Sequence, residues 1–253
     1  MSSNNMNVYN TSNRYIGILF FIFLIVIVLL SVRYIINDLN NNSSNEPWLI
    51  HNTKMAKKLK VIPGKMIPQS IDQQYGIEFS YSFWMYISDW TYKKGAWKHV
   101  MHKGSKIGLP LQSPGFWLYP YENKLAINMN TFHSVKESCD IGNIPIGKWV
   151  NIITVVMGKN MDVYVNGELK KRCTFKGIPR QNYGDIYIND FQGFDGFMSK
   201  VRYFNYALPY YKVEQIVSQG PSKVPCVETG ETPPYLADNY WLTTGFPNSQ
   251  FPN

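Results

Sequence analysis

The sequence is poor in cysteine and in acidic residues. Its 253 residues include three cysteines, and none of them has the C-x-x-C spacing of a zinc site. Three cysteines are also too few to frame a small disulfide-rich domain. Asp and Glu number 17 against 25 Lys and Arg, which gives a formal net charge of +8. This charge is spread along the whole chain, which argues against a dedicated nucleic-acid-binding patch.

Other absences concern catalysis and order. The sequence has no G-x-S-x-G motif, which excludes the nucleophile elbow of the α/β-hydrolases. Disorder over the whole chain is excluded by 18 Tyr, 14 Phe and 7 Trp, because a disordered chain is poor in aromatic residues. With 45% hydrophobic residues, the chain has enough apolar material for the core of one large β domain or two small ones.

One long apolar run lies near the start of the chain. Tyr15 to Val32 reads YIGILFFIFLIVIVLLSV, eighteen residues without a charge. As a helix this run would be about 27 Å long, close to the hydrocarbon thickness of a bilayer. We therefore predict a single-pass membrane protein with a transmembrane helix over residues 15–36. Its predicted anchor residues are Tyr15, Phe20, Phe21, Leu24, Leu29 and Arg33, the last reaching the lipid head groups.

The rest of the chain divides by composition. Residues 1–14 form a polar tail, and residues 37–74 form a polar, lysine-containing stalk. The stretch 75–220 carries the strand signals, and 221–253 is an extension rich in Pro and aromatic residues. The basic residues on the two sides of the apolar run are balanced, so the membrane orientation stays open. A cleaved signal peptide is disfavoured because no small-residue cleavage site follows the run.

The pattern between residues 75 and 220 is that of β-strands. In GIEFSYSFWMYIS, core-type residues alternate with a second set over twelve positions, and this period of two predicts a strand. WVNIITVVM is typical of a central strand, and Asn166-Gly167 predicts a two-residue hairpin turn. One soluble helix is predicted, opened by Pro209 and closed by Gly220. The predicted fold class is all-β, a two-sheet antiparallel sandwich with a short C-terminal helix.

Two longer stretches carry a combination of motifs. In GKWVNIITVVMGKNMDVYVNGELKKRCTFKG, a Trp opens a core strand and a Y-V-N-G hairpin follows. In DGFMSKVRYFNYALPYYKVEQIVSQG, a closing strand precedes a short helix, and its motif residues are Phe194, Gly196, Val201, Arg202, Asn205, Ala207 and Leu208. Together they resemble the laminin-G-like members of the concanavalin A-like lectin and glucanase jelly rolls. The resemblance implies that fold over about residues 75–220 and leaves the ligand open.

The resemblance implies what a catalytic or metal site would need. Hydrolases with this fold cut β-glucans with a Glu-x-Asp-x-x-Glu strand, in which two carboxylates share one face. This sequence has no such strand, so we predict a protein that is not an enzyme and that has no cofactor. Laminin-G domains often hold calcium at a rim loop, and here Asn189, Asp190 and Asp195 are the candidate oxygen donors. These residue types are also ordinary turn formers, so no metal ion is assigned.

Aromatic residues and two histidines are further candidates. Trp84, Tyr86 and Trp117 are candidates for a face that stacks on a sugar or docks a protein, with burial in the core as the alternative. His99 and His102 lie three apart in a predicted strand. They should therefore face opposite sides of the sheet and not bind one metal ion from that strand alone.

The three cysteines leave one pairing to consider. Cys139 and Cys173 would bridge a loop to the hairpin if the domain meets an oxidising compartment, which would leave Cys226 unpaired. Free thiols are the alternative, because the redox environment follows the unresolved membrane orientation.

These features support three hypotheses on function. The first is a membrane-anchored, non-catalytic binding or structural protein that presents its jelly roll to a protein partner. The Asn- and Lys-rich composition resembles that of membrane-associated structural proteins of large DNA viruses, which implies a link between an internal virion membrane and capsid subunits. The alternatives are a membrane-tethered carbohydrate-binding lectin and a glycoside hydrolase-like enzyme with an unrecognised site. The expected partners are a lipid bilayer and a protein or a glycan, with no nucleic acid.

Overall fold

A computed structural model describes residues 18–34, 45–108, 111–224 and 226. The chain divides into two units, Met1–Asn45 and Glu46–Asn253. In the first unit, residues 18–34 form a helix, α1, whose side chains are exposed along its length.

Helix α1 lies within the predicted transmembrane segment. Among the residues that the structure describes, no helix has both the length and the apolar character needed to cross a membrane. Five of the predicted anchor residues lie in α1: Phe20, Phe21, Leu24, Leu29 and Arg33. Tyr15 lies outside the described residues, as do residues 35–36 at the other end of the predicted segment. The membrane anchor stays a prediction.

The second unit contains two antiparallel sheets. The first is eight-stranded, with the order β1-β14-β5-β10-β11-β12, while β2 pairs with β14 and β4 with β5. Its strands are β1 (Trp48–Ile50), β2 (Lys54–Met55), β4 (Ile71–Gln73), β5 (Gly76–Asp89), β10 (Trp149–Met157), β11 (Asn160–Val165), β12 (Glu168–Thr174) and β14 (Asp195–Phe204).

The second sheet is six-stranded, with the order β3-β13-β6-β7-β8-β9. Its strands are β3 (Lys60–Ile62), β6 (Lys98–Gly104), β7 (Gln112–Leu118), β8 (Lys124–Met129), β9 (Glu137–Gly142) and β13 (Asp185–Ile188). A short 3-10 helix, Gly64–Met66, follows β3. The predicted all-β, two-sheet antiparallel sandwich is confirmed, and the domain begins near Glu46 because β1 to β4 come from the predicted stalk.

The core lies between the two sheets and follows the alternation of the strands. In β5 the inward residues are Phe79, Tyr81, Phe83, Met85 and Ile87, and all five belong to one buried cluster. The six-stranded sheet supplies residues of the same period, such as Phe116 and Leu118 from β7. Because each alternate residue leaves the core, the outward faces of both sheets remain for other roles.

The predicted C-terminal helix, α2 (Tyr210–Ser218), is confirmed and covers part of the outward face of the eight-stranded sheet. Its buried residue Val213 belongs to a second apolar cluster with Ile153, Val155 and Phe204 of that face. Pro209 precedes the helix, where its missing N–H costs no intrahelical bond. Helix α2 packs on the eight-stranded sheet, so it does not cover the outward face of the six-stranded sheet.

Strand β6 contains a bulge that corrects the prediction for its histidines. His99 pairs with Trp117 and Met101 pairs with Phe116, so Val100 is an extra residue between two successive pairs. Val100 and Met101 are both in the core. The extra residue shifts the alternation, and His99 and His102 therefore share the outward face instead of facing opposite sides.

A disulfide joins Cys139 in β9 to Cys173 in β12, so it links an edge of one sheet to an edge of the other. Replacing both cysteines by alanine should lower the free energy of unfolding by about 3 kcal/mol, because the bridge constrains the unfolded chain. Urea denaturation of the full-length protein under oxidising conditions measures this loss. Cys226→Ala is the control and should leave the midpoint unchanged. An equal midpoint for the double variant and the wild type would show that the bridge adds no stability.

Candidate functional site

The outward face of the six-stranded sheet holds a cavity of about 120 Å³. It is lined by Trp97, Trp117, Asn128 and Lys136, and we call it the aromatic pocket. Trp117 and Asn128 lie on the neighbouring strands β7 and β8, while Trp97 precedes β6 and Lys136 precedes β9. The pocket is thus assembled across the sheet from segments that are distant in sequence.

Each tryptophan of this pocket packs against a second aromatic ring. The ring centroids of Trp97 and Tyr119 are 4.5 Å apart, and those of Trp117 and Phe191 are 5.8 Å apart. Trp97 is 42% exposed, which leaves a large ring surface open to a ligand. The Lys136 ammonium lies 6.0 Å from the Trp97 ring centroid and brings a positive charge to the rim.

The register of the sheet places one small residue and one carboxylate next to Trp117. Trp117 is opposite Ala126, and Ala126 is opposite Asp140 on the next strand. Asp140 Oδ2 accepts a hydrogen bond of 2.7 Å from the Tyr119 hydroxyl. This bond is the main cause that raises the pKa of Tyr119 to about 12, so the phenol stays neutral.

Two side-chain amides supply hydrogen-bonding groups next to the rings. The Gln112 side chain lies over Gly115, where an added Cβ would come within 1.9 Å of Gln112 Oε1. Gln112 Oε1 accepts from Trp117 Nε1 at 3.0 Å and from Asn128 Nδ2 at 3.5 Å. Gln112 Nε2 and Asn128 Oδ1 are buried and have no hydrogen-bond partner among the described residues. Gln112 Nε2 is therefore a hydrogen-bond donor, and Asn128 Oδ1 a hydrogen-bond acceptor, that the described residues leave unsatisfied.

The two histidines of β6 form a relay of hydrogen bonds behind Trp117. The Asp190 backbone N–H donates to His99 Nδ1 at 2.9 Å, so His99 carries its proton on Nε2. That N–H donates to His102 Nδ1 at 2.7 Å, and His102 Nε2 then donates to the Ser105 carbonyl at 2.9 Å. Each ring has one donor and one acceptor role, which only the neutral form can fill. Burial lowers the pKa of both histidines in agreement with this arrangement.

The rim-loop residues predicted as calcium donors have separate partners. Asn189 is buried, and its side-chain amide donates to the Val100 carbonyl at 3.3 Å. Asp190 Oδ1 accepts from the Phe191 N–H, and Asp195 Oδ1 pairs with Lys57 Nζ at 2.5 Å. In the described part of the chain, no three His, Cys, Asp or Glu residues come together as a metal site.

The predicted aromatic candidates lie on different faces. Trp117 lines the aromatic pocket, whereas Trp84 and Tyr86 lie on the outward face of the eight-stranded sheet. Both are nearly buried, and Tyr86 packs on Trp149 and Phe197, so neither offers an open stacking surface.

Sequence reasoning did not single out the residues that complete the pocket. No motif in the sequence marks Trp97, Asn128 or Lys136. The alternation of GFWLYP and KLAINMN does place Trp117 and Asn128 on outward faces. The alternation does not give the strand order, and it is the strand order that makes β7 and β8 neighbours.

Comparisons with known proteins agree on the fold. A family model described as the concanavalin A-like lectin/glucanases superfamily matches residues 67–213. No curated protein matches the chain.

Solved structures with a similar fold include botulinum neurotoxin domains. The ligand-binding domain of serotype D, in complex with N-acetylneuraminic acid, is 12% identical with a TM-score of 0.51, covering 72% of this chain and 52% of that chain. The receptor-binding domain of mosaic serotype C/D is 10% identical with a TM-score of 0.50, covering 69% of this chain and 45% of that chain. This chain spans about half the length of those chains or less, and at such identity the likeness concerns the fold alone.

Proposed function

Since this chain belongs to the concanavalin A-like lectin/glucanase superfamily, we propose that it is a non-catalytic binding module whose aromatic pocket takes a carbohydrate. The observation that carries the proposal is that Trp97 and Trp117 meet Asn128, whose buried Oδ1 has no hydrogen-bond partner among the described residues. A sugar ring presents C–H groups to an aromatic face and hydroxyls at its edge. The two tryptophan rings would pack against the C–H groups, and the Asn128 amide would hydrogen-bond to the hydroxyls.

The described lining of the aromatic pocket favours a binding role over hydrolysis. A glycoside hydrolase needs two carboxylates that flank the scissile bond. None of the described residues that line the aromatic pocket is acidic. The nearby Asp140 accepts hydrogen bonds from Tyr119 and Ser138 through its two oxygens. A hydrolase-like enzyme with another site is the weaker alternative.

Docking to a protein partner is the second candidate function. The loop that carries Lys136 also exposes Phe132 by 68% and Val135 by 57%, beside the exposed Trp97. Exposed apolar residues next to an aromatic pocket are typical of a protein interface. An assembly subunit such as a capsid protein would be a partner of this kind.

We also keep the proposal that residues 15–36 anchor the module in a membrane, with an internal virion membrane as the proposed location. The support is α1, in which large apolar side chains such as Phe21 and Leu30 are more than half exposed. Flotation of the full-length protein with lipid vesicles tests the anchor. The protein should float with the vesicles and resist extraction at high pH, whereas protein that stays in the soluble fraction would exclude the anchor.

A glycan array with the full-length protein in a non-ionic detergent tests the pocket. Wild type should bind a subset of glycans, and Trp97→Ala should weaken binding of the best glycan about tenfold or more, as expected for loss of a central aromatic anchor. Binding should persist when calcium is chelated, because the rim loop brings no oxygen cluster together. Trp48→Ala is the matched control, since Trp48 is 40% exposed but lies on β1 of the other sheet.

Three results would change the proposal. Equal losses for Trp97→Ala and Trp48→Ala would place the ligand elsewhere. Loss of binding on calcium chelation would favour a calcium-dependent lectin. A protein captured through Trp97, with no glycan bound, would favour the docking function.

A further inference from the structure

Lys103 is a buried cation inside the sandwich. It is 5% exposed, and it pairs in register with Ile186 of the core, so its side chain points inward from β6. The ring of Tyr203 lies 6.0 Å from its ammonium group. Within the described part of the chain, no carboxylate forms an ion pair with Lys103. A buried charge of this kind is costly unless a partner of opposite charge is supplied.

A second polar group at the same place is also without a partner. The hydroxyl of Tyr81 is buried and makes no hydrogen bond to a described residue. Tyr81 and Lys103 line the same inner cavity, between β5 and β6, whose volume of about 10 Å³ has room for about one oxygen-sized group. A buried hydroxyl is normally satisfied, so Tyr81 offers this cavity a hydrogen-bond donor that the described residues leave without an acceptor.

A larger, outer cavity shares lining residues with this inner cavity, and both are lined by at least one cation. The outer cavity has a volume of about 430 Å³, and it shares Ser113, Arg180 and Asn182 with the inner cavity. The described lining residues of the two cavities include the cations Lys103 and Arg180 and no Asp or Glu. The volume exceeds that of a single inorganic anion, so there is room for the organic part of a ligand.

We propose that this cleft is a binding site for the oxyanion group, a carboxylate or a phosphate, of a small organic anion. The Lys103 ammonium and the Tyr81 hydroxyl would donate to one oxygen atom of the oxyanion, placed in the inner cavity. The Arg180 guanidinium, which lines both cavities, would add charge-assisted bonds to the rest of the group. The site lies inside the sandwich, whereas the aromatic pocket lies on the outward face of the six-stranded sheet. The two proposals can therefore fail separately.

Thermal unfolding of the full-length protein in a non-ionic detergent tests the site, with sulfate, phosphate and acetate as probes. Each is compared with chloride at equal ionic strength and pH 7. The wild type should gain several degrees in melting temperature with at least one of the three probes. Lys103→Met, which keeps the length of the side chain, should lose this gain. It also provides the baseline for the general stabilising effect of sulfate on proteins. Lys170→Met, at an exposed position on β12 that lines neither cavity, should respond like the wild type.

Sulfate binding should also depend on pH in a way that identifies Lys103. The titratable groups that line the inner cavity are Lys103, Arg180, Tyr81 and Tyr203. Burial lowers the pKa of Lys103 to about 8 and raises the pKa of both tyrosines. Sulfate keeps its charge over this range, so its affinity should fall about tenfold or more between pH 7 and pH 9 as Lys103 loses its proton.

Several outcomes would overturn the proposal. These are an equal response of Lys103→Met and the wild type, no response of the wild type to any of the three probes, and an affinity that is constant through pH 8. If Lys103→Met does not fold, Arg180→Met provides the second variant, and it should weaken sulfate binding at the mouth of the cleft. An unchanged sulfate affinity in Arg180→Met would then count against the site.

Discussion

Replacing Glu46 by alanine should lower the free energy of unfolding by about 3–5 kcal/mol, the range for removing one partner of a buried ion pair. Glu46 is buried, and its carboxylate pairs with Arg202 Nη2 at 2.6 Å and with Lys212 Nζ at 2.7 Å. The Tyr206 hydroxyl donates to the same carboxylate. The variant therefore leaves two partly buried cations without their counter-charge and a hydroxyl without its acceptor.

The pH dependence of the same cluster gives a second measure. Burial raises the pKa of Glu46, but hydrogen bonds from Lys212 and Tyr206 and the charge of Arg202 outweigh it, so the pKa lies below its usual value of 4.5. A carboxylate with a lowered folded pKa contributes stability that is present above the unfolded pKa and is lost as the pH falls through the folded pKa. The difference in stability between the wild type and Glu46→Gln should thus be full above pH 4.5 and shrink below it.

Glu122→Ala is the matched control for Glu46→Ala. Glu122 pairs with Lys124, but both side chains are exposed, and such surface pairs contribute about 1 kcal/mol or less. Chemical denaturation of the full-length proteins measures both losses. If Glu46→Ala lowered the free energy of unfolding no more than Glu122→Ala, the Glu46 cluster would contribute no more stability than an exposed ion pair. Its burial would then contribute little.

The long strands could be predicted from the sequence because their information is local. The alternation in β5 gives both the strand and its core face, and the hairpin turn follows from Asn166-Gly167, whose φ angles are 52° and 88°. The edge strands β1 to β4 could not be predicted in this way. β1 has three residues, and its place depends on the pairing of Trp48 with Arg202, which no local pattern announces. These four strands lie before residue 75, where the sequence predicts the jelly roll to begin.

The candidate site was only partly predictable for a related reason. Trp117 was expected to be a candidate for stacking, and the structure places it in the aromatic pocket. Its partners Trp97, Asn128 and Lys136 come from other segments, so their meeting depends on the strand order and on the register. The histidine relay was hidden by a single bulge, because one extra residue, Val100, reverses the phase of every later side chain in that strand.

Acid should weaken the protein below pH 6.5 through this relay. Protonation of His99 or His102 would add a proton to the nitrogen that accepts a hydrogen bond, and this proton would face the donating N–H. It would also place a charge in a buried site. Both histidines have a folded pKa below the usual value of 6.5, so their stabilising contribution is complete above pH 6.5 and is lost as the pH falls toward the folded pKa. The free energy of unfolding should fall by about 1.4 kcal/mol per pH unit for each histidine that stays neutral in the folded state.

The double variant His99→Phe/His102→Phe should flatten this slope, because it removes both titrating rings and keeps aromatic contacts to Trp117 and Tyr187. His51→Gln/His133→Gln is the matched control, since these two histidines are exposed, and it should keep the wild-type slope. Glycan affinity should fall in the same pH range in the wild type, because His99 packs against Trp117 at the pocket, with ring centroids 4.5 Å apart. If the slope of the unfolding free energy against pH were the same in the wild type and in the His99/His102 variant, the acid sensitivity would belong to other groups. The relay would then contribute to packing alone.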